Sequence, residues 1–561
     1  MIKAFPNLLC AGKAASEVGT LLEQSYNADV ASQSTLGQMY RWLVECHSSH
    51  TLCRQDHSSF VPRRLLHINF GTRAPVLRLV ENGQSVQIRW AALSYVWGGG
   101  QKLKTTISSI ADMKAGIGTE RLPRTLQDAV TVCKAMCLEY LWVDSLCIIQ
   151  DDPSDLAQEL TSMPQIYQRS WVTISASTAA NVSKGFLQER CYSHDQRPLS
   201  LSYLADDGLA TNRIVFINFR TNSCLSWESP IHERAWTYQE RRLSSRTLDF
   251  SDKGVIMYCH TNKRCQGYGS LMGWSAFGDT EDAKLVVRTE RRLYKPVSEY
   301  QELPEWHDIV AGYVDRKLSF SSDKLIALSA LASLYRQCTG YTYLAGLWKE
   351  SLISDLCWRS AYHSLAPRPK EYRAPSWSWA AVDLTLHAKV PPDFKERLGP
   401  GGIYHENLKT AAHSLAKVID VEIRQEPPNT TFGMIYEGFL TLEAPVLWTN
   451  WLYNTYLISF DLGIYDMDIK LGHHDARAFA DTVEDQMNGN TTASSAVLAV
   501  LLMRSASVRT PRGNIYYGLV LDSVSENTYR RVGLFEFDDP NVHVDDECFR
   551  SLFNIRTITI I

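Results

Sequence analysis

Hydrophobic and polar positions change period several times along the chain, and each change marks an element. Residues from about Glu17 to Cys53 carry apolar positions at helical spacing. Val86–Val96 then reads as a strand that ends in the turn Trp97-Gly98-Gly99-Gly100. In "LPRTLQDAVTVCKAMCL", Thr125 is the expected N-cap, with Asp128 three residues on. Leu126, Ala129, Val130, Cys133 and Cys137 form its apolar stripe. "YLWV" is the next strand, and Asp144 stops it. "SDLAQELTSMPQIYQR" is again amphipathic, starting at Ser154, with Leu156, Leu160, Met163 and Tyr167 on one face. Pro164 is expected to kink or break it. "WVTISAS" is a third strand.

Strand, helix, strand, helix, strand predicts an α/β fold with a doubly wound, mostly parallel sheet and right-handed crossovers. Such sheets place their chemistry beyond the carboxyl ends of the strands. Trp97–Gly100, Asp144–Asp152 and Ser175–Ser177 fall there. A carboxylate at a buried strand end is costly unless it is hydrogen-bonded, paired or used, so Asp144 needs a partner. Backbone N–H groups of its own loop, or Arg234 or Arg241, are the candidates.

Downstream, "VIMYCH" reads as a short strand and "WHDIVAGYVDRKLSFSSDKLIALSALASLYRQ" as two helices around a capped turn. "YLAGLWKESLISDLCW" reads as another helix. From "GMIYEGFLTLEAPVLW" to "IRTITII" strand patterns dominate, interrupted by an expected mobile loop at "HHDARAFADTVEDQMNGNTTASS". The expected organisation is an N-terminal helical segment (1–85), the α/β core (86–250) and a helical, aromatic-rich extension (251–385). A linker or long loop (386–415) and a β-rich region (416–561) follow.

A length of 561 residues is too long for one ordinary domain, and two to four are expected. Fifteen tryptophans imply large buried aromatic clusters, and Trp236, Trp377 and Trp379 are read as core. The net charge of −4 gives no electrostatic reason for a nucleic-acid partner. The apolar run Ala496–Met503 is too short to span a membrane. With no apolar stretch typical of a secretory signal near the N-terminus, and an odd 13 cysteines, the expectation is a cytoplasmic protein with reduced thiols.

Cys46, His50 and Cys53 share a helical face, with His47 as a poor fourth ligand. Zinc motifs normally bring two ligand pairs from separate segments, so a packed Cys/His face is preferred and no metal is assigned. "YCHTNKRC" offers Cys259, His260 and Cys265 as a weak half-site. Cys147 is read as a buried thiol rather than a nucleophile, because no histidine is placed beside it.

"AALSYVWG", "LPRTLQDAV", "YLWVDSLCIIQDD", "MPQIYQRSWVTISAS", "ERAWTYQERRLSSR" and "APSWSW" stand in the order seen in fungal HET-domain (heterokaryon incompatibility) proteins, which this chain resembles. The resemblance is strongest from about Arg89 to Phe250. Leu156 stands where the family often has tryptophan, and Ser170 where alanine is common. The resemblance implies a fungal protein of nonself recognition and regulated cell death, acting through a protein partner or self-association.

HET domains have been compared with TIR domains, which can cleave NAD. That remote likeness implies an alternative, an NAD-cleaving effector with NAD as substrate rather than as a bound cofactor. Glu159 is the positional match to the TIR glutamate, and Asp144 or Asp151 would orient it. Trp97 would stack on a ring while Gly98, Gly99 and Gly100 admit a phosphate. The plainer readings are a solvated Glu159 near a helix start, a structural Asp144 and a packing Trp97. The glycine triplet is neither a P-loop nor a dinucleotide fingerprint. A third reading is an accessory protein that keeps the fold without killing.

Overall fold

The computed structural model describes residues 29–53, 60–71, 75–82, 88–190, 199–204, 210–215, 229–252, 254–266, 306–360, 366–383, 403–404, 413–426, 432, 434–454, 457–459, 477–482, 485, 495–506, 514–538 and 553–561. The chain divides into two compact units, Met1–Val287 and Arg288–Ile561.

The first unit is built on β1 (Arg64–Asn69), β2 (Val76–Glu81), β3 (Trp90–Ser94), β4 (Ile117–Gly118), β5 (Tyr140–Trp142), β6 (Val172–Ser175), the separate hairpin β7 (Leu199–Leu204) and β8 (Ala210–Val215), then β9 (Arg246–Ser251), β10 (Gly254–Cys259) and β11 (Lys263–Cys265). Nine of these form one sheet in the order β11-β10-β9-β6-β3-β5-β1-β2-β4. The sheet is mixed, which corrects the expectation of a mostly parallel one. The pairs β5–β3, β3–β6 and β6–β9 are parallel. Both flanks are antiparallel: β1 pairs antiparallel with β2 and with β5, and β9 with β10, the pairs β1–β2 and β9–β10 being strands adjacent in the sequence. Every residue of β3, β6 and β9 is buried, as expected of central parallel strands covered on both faces.

The described α-helices of the first unit are α1 (Gln33–Ser49), α2 (Ile110–Ala115), α3 (Arg124–Ala135), α4 (Asp144–Cys147), α5 (Pro153–Arg169) and α6 (Ala235–Leu243). α1 packs on α3 and on β10, while α5 packs on α6. Three local expectations change. Thr125 lies inside α3, which follows Pro123, and its hydroxyl donates to the Asn181 carbonyl at 3.3 Å. α5 starts at Pro153, one residue before the expected start at Ser154, and Asp152 caps it, accepting from the Ser154 and Asp155 N–H groups. α5 also runs unbroken through Pro164, because the buried side chains Met163, Ile166 and Tyr167 hold the turn that the missing N–H weakens.

In the second unit, "YLAGLWKESLISDLCW" is not one helix. It forms the hairpin Tyr343–Leu344 with Leu347–Trp348, followed by the short helix Leu352–Asp355. Ala345 and Gly346 both take positive φ (50° and 95°), the geometry of a tight two-residue hairpin turn. The two helices expected around a turn are present at Trp306–Ala311 and Ser329–Thr339. The C-terminal strand patterns are present as well: Met434–Asn454, Ser495–Ala506, Asn514–Ser525, Thr528–Asp538 and Asn554–Ile560 pair into a closed ring of ladders. The expected mobile loop contains a strand, Arg477–Ala480, paired with Thr528–Asp538, and much of that loop lies outside the described residues. Most of the 386–415 stretch also lies outside them, although Ile403–Tyr404 pairs with Arg359–Ser360. Among the described residues, no helix is long and apolar enough to cross a membrane.

Candidate functional site

β3, β5 and β6 run parallel and in register, so the loops that follow them emerge at one edge of the sheet. There the Trp97 indole Nε1 donates to Asp144 Oδ2 at 2.9 Å. The other Asp144 oxygen accepts the Ser145 N–H at 2.6 Å. The Tyr95 hydroxyl bonds Ser145 Oγ and Gln101 Oε1, both at 2.9 Å. The Arg234 guanidinium donates to the Tyr95 carbonyl. Burial raises the pKa of Asp144; the Arg234 charge and the Trp97 and Ser145 donors pull it back down.

A second carboxyl completes this edge. Glu240 on α6 is buried and accepts from Ser94 Oγ, the last residue of β3, at 2.5 Å. Burial pushes its pKa up to about 7; the Ser94 donor and Arg234 oppose the rise, and the Asp144 charge adds to it. A buried carboxyl that titrates near neutrality beside another carboxylate is a recognised mark of a functional site, though structural networks produce it too. Sequence reasoning missed Glu240. The signal was within "ERAWTYQERRL", where Glu240 lies three residues from Thr237 and from Leu243 and so shares their buried helical face. Next to it lies a hydroxyl-rich recess lined by Ser94, Thr173, Ser175, His232, Arg241 and Thr247. Arg241 pairs with Asp249 at 3.2 Å.

Glu159 belongs to a different cluster. It is 2% exposed, so the reading of a solvated residue fails. The fully buried Arg64 guanidinium holds it at 3.3 Å and also pairs with Asp155, while Arg64 Nε bonds the Cys147 carbonyl at 2.6 Å. Burial raises the pKa of Glu159, and the Arg64 charge opposes the rise. Asp151 is exposed and accepts the Ile107 N–H at 2.8 Å. The structure thus brings Trp97 and Asp144 together, and places Glu159 and Asp151 in separate hydrogen-bond groups. The Cys147 thiol is buried and pushed up to about 12 by desolvation.

The glycine triplet splits by role. Gly98 has φ +75°, and a Cβ there would lie 1.9 Å from the Asn181 Cβ, so close backbone packing requires glycine. Gly99 and Gly100 face open space. Trp377 and Trp379 are buried in the second unit, and Trp236 packs partly buried on the first unit's core.

The cysteine-rich stretches divide otherwise than their spacing suggested. Cys46, His50 and Cys53 meet Cys259 from the end of β10, all four donor atoms lying within 4.8 Å of one another. His47 instead packs on Trp171, with ring centroids 4.5 Å apart.

Neither the curated proteins nor the solved structures gave a match to this chain. A family model does match, that of the heterokaryon incompatibility protein (HET), over residues 90–240, from the first residue of β3 to Glu240 on α6. Residues 90–240, which hold the parallel strands β3, β5 and β6 and the carboxylates gathered at their ends, are thus the stretch of this chain that is similar to the HET domain.

Proposed function

We infer that this is a heterokaryon-incompatibility effector of a filamentous fungus, which promotes regulated cell death from the cytoplasm through partner contact or self-association rather than through catalysis. The observation that carries this reading is the state of Glu159. A glutamate sealed against a buried arginine, which also holds Asp155, is a structural ion-pair network and offers no approach to a substrate. Asp144 likewise has both oxygens occupied by Trp97 and Ser145, as befits a hub that fixes the strand-end loops. The doubly wound, TIR-like reading of the core has its support in the strand order. Connections from β3 go to one side, to β5, and then back across it, to β6. A reversal of that kind puts successive crossover helices on opposite faces.

The test is to incubate the purified full chain with NAD and follow nicotinamide release, wild type against Glu159→Ala. No release from either supports the contact reading. Release by the wild type that the substitution abolishes favours the NAD-cleaving alternative. Expression in a fungal host, scored for growth arrest, tests the killing role. Unchanged growth with soluble protein present favours an accessory protein.

A further inference from the structure

We propose that Cys46, His50, Cys53 and Cys259 bind one Zn2+ ion as a tetrahedral Cys3His site, which clasps the N-terminal helix to the β10–β11 hairpin. Three donors come from the contiguous stretch Cys46–Cys53 and the fourth, Cys259, from a distant strand. Cys46 lies in the last turn of α1, His50 is the residue that ends it, and Cys53 closes the short 3-10 turn Thr51–Cys53. Cys259 is the last residue of β10, 209 positions after His50. The imidazole Nδ1 lies 3.5 Å from Cys259 Sγ and 3.9 Å from Cys53 Sγ. Donors about 2.0–2.3 Å from one tetrahedral zinc lie about 3.5–3.8 Å from each other, so the cage needs only a slight contraction.

The surroundings suit thiolates. The Asn262 N–H points at Cys259 Sγ at 3.2 Å, and Thr261 Oγ1 lies 3.6 Å from Cys53 Sγ. Such donors orient and stabilise metal-bound sulfur. Arg264, which pairs with Glu45 on α1, lies in the electrostatic field of Cys46 and Cys259. Three thiolates and a neutral imidazole around Zn2+ leave a net charge of −1, with the Arg264–Glu45 ion pair beside it. All three cysteines are buried and free, in no disulfide. With no open coordination position, a Cys3His site is structural rather than catalytic. It also has a place in the domain plan. Its ligands lie on both sides of residues 90–240, so the metal would fasten the segments before and after that stretch to each other.

The experiment uses the full-length chain purified under reducing conditions without chelator, with metal quantified by mass spectrometry and the site reconstituted with Co2+. The expected result is one zinc per chain, and a cobalt form with tetrahedral d–d bands and a thiolate charge-transfer band. Cys259→Ser should lose the stoichiometric zinc, and His50→Cys should keep it. Should Cys259→Ser fail to fold, the wild type still decides: titration with an organomercurial should release zinc in step with modification of buried thiols. Less than half an equivalent of zinc after reconstitution, a disulfide within the cluster, or cobalt bands unchanged in Cys46→Ser/Cys259→Ser would overturn the proposal.

Discussion

Trp97 and Asp144 are joined across two strand ends by an indole-to-carboxylate hydrogen bond of 2.9 Å, so the tryptophan that closes one loop is the donor that satisfies the acid opening the next. A hydrogen bond to a charged group contributes about 1.5–3 kcal/mol. Trp97→Phe keeps an aromatic ring and removes the donor. It should lower unfolding free energy by about 2 kcal/mol in denaturant titrations. In a chain that already carries Asp144→Asn, the same tryptophan substitution should cost much less.

Glu240 gives the first unit a pH dependence of defined sign. Its pKa in the fold is raised to about 7 from an ordinary 4.5. The folded state therefore holds the proton more tightly than the unfolded chain. The stability this confers is fully present below about pH 4.5, is lost as pH rises, and is gone above about pH 7. The span corresponds to about 3 kcal/mol. Glu240→Gln should thus raise the melting temperature at about pH 8 and leave it nearly unchanged at about pH 4.5, as read by calorimetry.

Arg64 anchors two buried carboxylates, and its loss is costlier than the loss of either. Arg64→Met leaves Asp155 and Glu159 without their shared buried cation, at about 3–5 kcal/mol. Glu159→Gln leaves Arg64 paired to Asp155 and should cost about 1 kcal/mol. Equal destabilisation by the two substitutions in urea melts would contradict this picture of the cluster.

The glycines after β3 separate packing from ligand approach. Gly98→Ala meets the Asn181 backbone and a positive φ, and should destabilise by more than about 2 kcal/mol. Gly100→Ala meets nothing within 4 Å and should fall within about 0.5 kcal/mol of the parent. Thermal shift measurements on the two variants check the contrast.

Much of the core was legible because its strands are short apolar runs bounded by breakers: Trp90–Ser94, Tyr140–Trp142 and Val172–Ser175 all lie inside stretches read as strands. The flanks were harder. Arg64–Asn69 and Val76–Glu81 pair antiparallel into the sheet, yet nothing local distinguishes an edge hairpin from a segment outside the domain. Glu159 looked solvated because the charge that buries it, Arg64, stands 95 positions earlier. Glu240 was hidden for the same reason, since its partner Ser94 belongs to another element. The Cys46/His50/Cys53 face was visible at helical spacing, but Cys259, which turns that face into a four-donor cage, joins only through the tertiary fold.

The proposed mode of action is contact, without consumption of NAD. A time course in a fungal host expressing the full chain, recording hyphal growth and the intracellular NAD pool together, tests it most directly. Growth arrest with the NAD pool unchanged at its onset is the predicted result. Arrest preceded by loss of NAD, and abolished by Glu159→Ala, would contradict it.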